Sequence, residues 1–516
     1  MDYELKPNSF NTIFSEKKDV ENEAEYTLSD YMPSVSRIVK TEAKLNITDK
    51  LVNAGKLDIS GEIVYTVLYT AENSGLLKCA LFKEDFDEQY DMRTDTENVG
   101  NLCVFVKSVP IHATSKLVGQ RTFAARSKFS LAVEVVDMSA GDFYIDERHA
   151  PECDVEYLRK DITASALRVA ENGRVDISES FEIDADMPEI SDIVDADAQV
   201  FVKSVSVSED MVSVSAEMEF TCIYEARGEN GGEYVSLSKT ITFGTQIEMP
   251  DVDAGWKAVC DIKLLSLTCD CTGDNFGEQR VIEINAAADI MPVALKNTES
   301  TVIEDMYSTE CEIIQKRQNV HITSLADIYT ETVAYSDRVR FELRGISDII
   351  SSSLDINFGN PELSQGEVVI PAKGILSILG MKENGDTDAR SSQISIRIKD
   401  GNIPPELFEN KLRWINFCTV CHHECSISNG ELVLDIKINE NLAALYEETA
   451  QVITDHEKAG ESAKNTKKCS FVLYYPENGE SVWKVAKDHG VSCERVCAEN
   501  DIDGKTFDGK KTVVLR

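Results

Sequence analysis

The sequence is short of basic residues, of histidine and of long apolar runs, and each shortage removes a class of function. Lysine and arginine number 52 against 91 aspartate and glutamate residues, a formal net charge of −39. Phosphate recognition needs clustered positive charge, so nucleic acid and direct insertion at an anionic membrane surface are excluded as expectations. No stretch approaches the ~20 apolar residues that span a bilayer. The start, Met1-Asp2-Tyr3-Glu4-Leu5-Lys6-Pro7, lacks the basic opening and apolar core of a secretory leader, so a cytoplasmic chain is expected. No Gly-x-x-x-x-Gly-Lys-Ser/Thr segment occurs, which leaves no phosphate cradle for a nucleotide. The seven histidines enter no Ser-His-Asp or Cys-His pattern, so nucleophilic catalysis has no candidate and no cofactor is implied. The 14 cysteines follow no framework spacing, and in a reducing compartment they are expected to stay free.

What is present is enough apolar material for folded domains, 42% of 516 residues, which favours three or four domains over one core. A short motif recurs. Met32-Pro33-Ser34-Val35-Ser36-Arg37-Ile38-Val39 matches Met187-Pro188-Glu189-Ile190-Ser191-Asp192-Ile193-Val194, and Ile346-Ser347-Asp348-Ile349-Ile350 is a shorter third copy. Each copy precedes segments that alternate apolar and polar residues. Leu57, Ile59, Ile63, Tyr65, Val67 and Tyr69 alternate with Asp58, Ser60, Glu62, Thr66 and Thr70, a period of two that turns one strand face inward. Val205 to Val214 behaves likewise around Glu209-Asp210. Strand pairs are expected over Lys128 to Val136, Arg280 to Ala287 and Leu432 to Ile438. Asn429-Gly430 and Asn172-Gly173 mark hairpin turns, because both residues accept positive φ. A helical stretch is expected over Asn441 to Thr454. The pattern predicts a mainly β chain with three tandem β-sandwich-like repeats, at 1–150, 151–305 and 306–454.

Residues 455–468 are charged, small and almost without apolar side chains, so they read as a flexible linker. In 469–516, Phe471 to Tyr475 and Thr512 to Leu515 read as two strands. Between them Ser481 and Ser492 are placed to cap two helices, Gly490 to stop the first. Val482, Val485, Ala486 and His489 share one helical face, as do Cys493, Val496, Cys497 and Asn500.

This β-α-α-β order resembles the LysM family, in which a Gly-Asp-Thr-Leu-Trp-Lys-Ile-Ala-like segment opens the first helix. Here the segment is Gly479-Glu480-Ser481-Val482-Trp483-Lys484-Val485-Ala486, followed by His489-Gly490-Val491-Ser492, Asn500-Asp501-Ile502, Gly509-Lys510 and Leu515. The resemblance implies a shallow groove between Gly479, Glu480 and Ser481 on one side and Asn500, Asp501 and Ile502 on the other. Trp483 is expected to be essential to the module, through packing more than through ligand contact. Family members usually bind N-acetylglucosamine-containing glycans. A cytosolic chain meets no peptidoglycan, so a protein is the expected occupant.

Acidic β-rich repeats ahead of such a module resemble the SPOCS-domain proteins of spore-forming Firmicutes. The resemblance implies a coat-morphogenesis adaptor in the mother-cell cytoplasm at the forespore surface. Its implied partner is stage IV sporulation protein A, the ATPase of the coat basement layer, bound through the LysM region. The alternative is a peptidoglycan-binding envelope protein. Cys418-Thr419-Val420-Cys421-His422-His423-Glu424-Cys425 is the densest set of metal-type ligands, with Cys418, Cys421, His423 and Cys425 as the candidates. It lies in a strand-like run that would put Cys421, His423 and Cys425 on one face and Cys418 and His422 on the other, without the knuckle turn and distant second pair of a zinc site, so no metal is assigned.

Overall fold

Alternate side chains of a pleated strand face opposite sides, so the period-two segments form long antiparallel strands whose apolar faces pair across two sheets. The computed structural model describes residues 10–92, 101–138, 154–170, 173–228, 233–343, 345–461, 471–502, 504–509 and 512–515. The chain is mainly β. Its first unit runs β1 (Asn11–Thr27), β2 (Val35–Asn53), β3 (Lys56–Ala71), β4 (Leu77–Asp91), β5 (Leu102–Gly119) and β6 (Thr122–Asp137). The meander forms one sheet, β2-β3-β4, and β1 returns beside the last strand to form the other, β1-β6-β5. Leu57, Ile59, Ile63 and Tyr65 from one sheet meet Phe129, Leu131 and Val133 from the other.

The second unit comprises β7 (Val155–Val169), β8 (Val175–Glu182), β9 (Ile190–Ser208), β10 (Met211–Ala226), β11 (Tyr234–Glu248), β12 (Lys257–Gly273) and β13 (Gln279–Ser308). Its first strand is split, and both pieces pair with β13, which is 30 residues long. The third unit comprises β14 (Cys311–Tyr329), β15 (Thr332–Val339), β16 (Ile346–Phe358), β17 (Glu362–Ser364), β18 (Glu367–Lys382) and β19 (Thr387–Asp400), then β20 (Leu412–Asn416), β21 (Thr419–Ser428), β22 (Glu431–Asn439) and β23 (Leu442–Glu461). Here β14 pairs with β23 and β15 with β22, the same return of the opening strand onto the closing one. The Asn429-Gly430 turn joins β21 to β22 with φ of 53° and 78°, as the residue pair requires.

The recurring motif opens β2, β9 and β16, and in each strand the ladder skips the same two positions. Ser36 and Val39, Ser191 and Val194, and Ser347 and Ile350 all lie at bulges. A bulge inserts an unpaired residue, bends its strand and re-aims the side chain. Val39, Val194 and Ile350 thereby join not the core of their own sandwich but one shared cluster with Leu68, Ile223 and Leu379. A second shared cluster takes Val136 from the first unit, Met291 and Val293 from the second, and Ala443 and Leu445 from the third. The contacts run in a ring, β4 on β9, β11 on β16 and β19 on β2, so the three units close on one another. Lys78 Nζ reaches Asp192 Oδ2 at 2.5 Å and Arg37 Nη2 donates to the Thr387 carbonyl at 2.7 Å across two of these joints.

Three expectations are corrected. Asn441 to Thr454 is strand, not helix: its Leu-Ala-Ala-Leu composition suits a helix, but pairing with β14 and β20 and burial of Leu442, Ala443, Ala444 and Leu445 override the local preference. The linker expected from 455 starts later, because β23 continues to Glu461; residues 462–470 lie outside the described residues. Cys311 is disulfide-bonded, whereas the other described cysteines are free thiols. It stands at the opening of β14, and nothing in the sequence spacing singles it out. Asn172 of the Asn172-Gly173 turn, the Met1 to Pro7 start and Lys510 lie outside the described residues. No helix among the described residues is long and apolar enough to cross a membrane.

Val194 is 2% exposed at the joint of all three units. Val194→Ala is expected to cost about 1–3 kcal/mol, and Val194→Asp more, because the charge finds no partner there. Urea unfolding of both variants checks this; a Val194→Asp chain as stable as wild type would contradict the shared joint.

Candidate functional site

The C-terminal module is built from short elements whose ends are fixed by named residues: β24 (Val472–Tyr474), α1 (Val482–His489), α2 (Cys493–Asn500) and β25 (Val513–Leu515). Gly490 stops α1 in the left-handed region at φ 66°, and the Ser492 hydroxyl accepts from the Arg495 amide at 3.2 Å. Val482, Val485 and Ala486 from α1, Val496 from α2, and Val513 and Leu515 from β25 form the core. Ser481 stands before α1 but makes no side-chain cap, since its backbone is bridged to Thr506 instead.

The two loops that the sequence assigns to a groove are stitched together by their backbones. Gly479 N–H donates to the Phe507 carbonyl at 2.8 Å, and Phe507 N–H returns to the Glu480 carbonyl at 2.8 Å. Gly479 holds φ 82°, a conformation that suits glycine. The Glu480 carboxylate is committed to its own loop, accepting from the Tyr474 hydroxyl at 3.0 Å and the Glu477 amide at 3.1 Å. Asn500 is committed too: its amide donates to the Val514 and Val496 carbonyls and accepts from Val514 N–H at 2.7 Å, tying α2 to β25. Beside these lies a cavity of about 250 Å³ lined by Asn500, Asp501, Ile502, Thr506, Phe507 and Asp508. Asp501 and Asp508, exposed on its rim, and Ile502, half-buried, are among the residues that present side chains to an occupant. Gly479 and Glu480 thus brace the lining residue Phe507, none of 479–481 lines the cavity, and Asp501 and Ile502 face it.

Trp483 is not part of that groove. It sits on the face of α1 turned to the second unit, where its Nε1–H donates to Asp305 Oδ2 at 2.8 Å and its ring meets Tyr307 edge-on at 4.8 Å. Lys487, one turn on, donates to both Asp305 oxygens at 2.7 and 2.6 Å. The Tyr307 hydroxyl donates to the Val491 carbonyl at 2.7 Å. Burial alone would raise the Asp305 carboxyl; hydrogen bonds from Lys487 and Trp483 outweigh it and hold the group below the usual carboxylate range.

The four metal-ligand candidates do not converge. Cys421 falls at a bulge in β21 and its thiol turns to the Lys437 carbonyl, while His423 Nε2 pairs with the Ser352 carbonyl at 3.1 Å. Burial pushes the Cys418 thiol up to about 12 and the Cys425 thiol up to about 11. Among the described residues no group of three or more His, Cys, Asp or Glu side chains is placed to hold a metal.

Sequence reasoning missed a chamber at the centre of the ring, lined by charged and apolar side chains together. A cavity of about 420 Å³ is lined from all three units, with Glu42 and Lys44, Asp197 and Gln199, and Ser353 and Asp355 contributing. These are matching positions, six and eight residues beyond the bulged serines. Lys44 Nζ pairs with Asp197 at 2.5 Å and Lys40 Nζ with Glu42 at 2.9 Å, while Ser353 donates to Glu42. Burial pushes the Asp195 and Asp355 carboxyls up to about 6, against the partial attraction of Lys40 and Lys44. Charged residues at equivalent inward positions after each motif copy were the available signal.

A carboxyl whose folded-state pKa is raised holds its proton in the fold when the unfolded chain has lost it. Stability from Asp355 is therefore full below the unfolded value of 3.8 and declines as pH rises from there to about 6. Asp355→Asn removes that cost. It is expected to add about 1–2 kcal/mol at pH 7, after allowance for water in the chamber, and nothing at about pH 3. Denaturant unfolding at the two pH values checks this, and a loss of stability at pH 7 would contradict it.

Residues 189–272, which are the meander β9 to β11 and most of β12, match the family model described as SipL, SPOCS domain. No curated protein and no solved structure matches the chain. The match covers one sheet of the second unit together with the strand that packs on it, and supports a SipL-like relationship and with it a sporulation-related coat protein.

Proposed function

We propose that the chain is a non-enzymatic coat-morphogenesis adaptor that works in the mother-cell cytoplasm at the forespore surface. Through its C-terminal module it grips stage IV sporulation protein A, the ATPase of the coat basement layer. The observation that carries this reading is the SPOCS-domain match at 189–272, in the middle unit of a chain that ends in a β-α-α-β module. An adaptor needs surfaces rather than chemistry. The ring of three sandwiches supplies a large acidic body, and the module supplies a groove with an apolar floor, Ile502 and Phe507, and an acidic rim, Asp501 and Asp508. That combination suits a polypeptide segment carrying an apolar side chain beside a basic one.

The alternative, a peptidoglycan-binding envelope protein, draws on the same cavity beside the 500–508 loop. Purified full-length chain separates the two. Asp501→Lys is expected to weaken binding to stage IV sporulation protein A by about tenfold or more, as loss of a central interface contact does. Binding to purified peptidoglycan, with none to the ATPase, would overturn the adaptor reading.

A further inference from the structure

The segment of the second unit that meets the C-terminal module is the end of β13, where a bulge at Glu304 brings Asp305 and Tyr307 onto one side of the strand. Those two residues supply most of the polar contact. Asp305 takes Trp483 and Lys487, Tyr307 packs on Trp483 and bonds the Val491 carbonyl, and the Cys493 backbone bonds Glu156. Undocking would normally be costly, because it would strand a partly buried carboxylate. Here it would not. Arg317 Nη2 also lies 2.5 Å from Asp305 Oδ1 and Gln315 Nε2 lies 3.2 Å from the same atom, so Asp305 keeps a cation and a donor after the module has left. On the other side Lys487, already about one-third exposed, passes into water. The remaining hold is Tyr307, 6% exposed and packed in the module's own core, so release costs the burial of one ring beside ion pairs that can be replaced.

We propose that Asp305-Met306-Tyr307 is a releasable latch occupying a second docking face of the C-terminal module, the Trp483–Lys487 face of α1. A protein partner presenting the same chemistry, a strand with an acidic residue two positions before an aromatic one, displaces it. This rests on the reading of the module as the docking element and adds to the groove a face that is masked in the closed chain. Because the latch is tethered, it acts at an effective concentration on the order of millimolar, so a competing segment succeeds only when it is itself concentrated, as on an assembled coat layer.

Hydrogen exchange on the full-length chain tests this without any partner. Asp305→Asn is expected to lower protection of 482–493 and of 303–308 together, while β9 and β10 keep theirs. Raising salt from about 0.05 to about 0.5 M should do the same to wild type by screening the ion pairs. A synthetic peptide spanning Thr301 to Glu310 is expected to restore protection of 482–493 in the Asp305→Asn chain, and a peptide with lysine in place of Asp305 is not. Unchanged protection in both Asp305→Asn and high salt, or equal action of the two peptides, would overturn the latch. Failure of stage IV sporulation protein A to bind any form of the chain would overturn the adaptor reading alone, since the exchange result does not depend on it.

Discussion

Val39, Val194 and Ile350, each extruded by a bulge three positions after an extruded serine, are the contacts on which the arrangement of the chain rests. A regular strand would send these side chains to one face of its own sheet. The bulge takes them out of the alternation and gives the three sandwiches a common apolar joint. Without it, the ring contacts β4 to β9, β11 to β16 and β19 to β2 would lose the apolar joint beside them and rest on the second shared cluster and the bonds of Lys78 and Arg37.

Closing three sandwiches on one another also forces their inward strands past a shared space. β12 passes from Val259 in one shared cluster to Leu264 at the chamber, and β9 passes from Val194 in the other to Asp197. The chamber lies between two apolar joints, and its lining mixes charged side chains such as Glu42, Lys44, Asp197 and Asp355 with apolar ones such as Ile111, Leu264 and Leu354. Lys40, Lys44, Glu42 and Asp197 offset one another, but Asp195 and Asp355 are in excess, and their raised pKa values express that imbalance. The ion pairs at the centre of the ring are therefore weak evidence of added stability.

The C-terminal module depends on the body in a different way. Its core is its own, apart from Tyr307, which enters it from β13. The cavity of the module is lined by other residues, from among 500–508 with 512 and 513, and the loop beside it is joined to the 479–480 loop by backbone bonds. Trp483 sits where the body meets the module, so one indole both completes the packing of α1 and answers a carboxylate of another unit.

Local sequence determined the strands, through period-two alternation, the Asn429-Gly430 turn, the helix stop at Gly490 and the Ser492 cap, because each of these is settled by a few neighbouring residues. The groove loops were legible as positions, although Glu480 and Asn500 spend their side chains on the fold. Tertiary structure decided the rest. Asn441 to Thr454 became a strand because two neighbours offered hydrogen bonds and burial that a helix could not, and Trp483 was assigned by Asp305, 178 residues away. The recurring motif was visible as letters, but its role as a joint was not: a bulge exists only against a partner strand, and the partner lies beyond any local window.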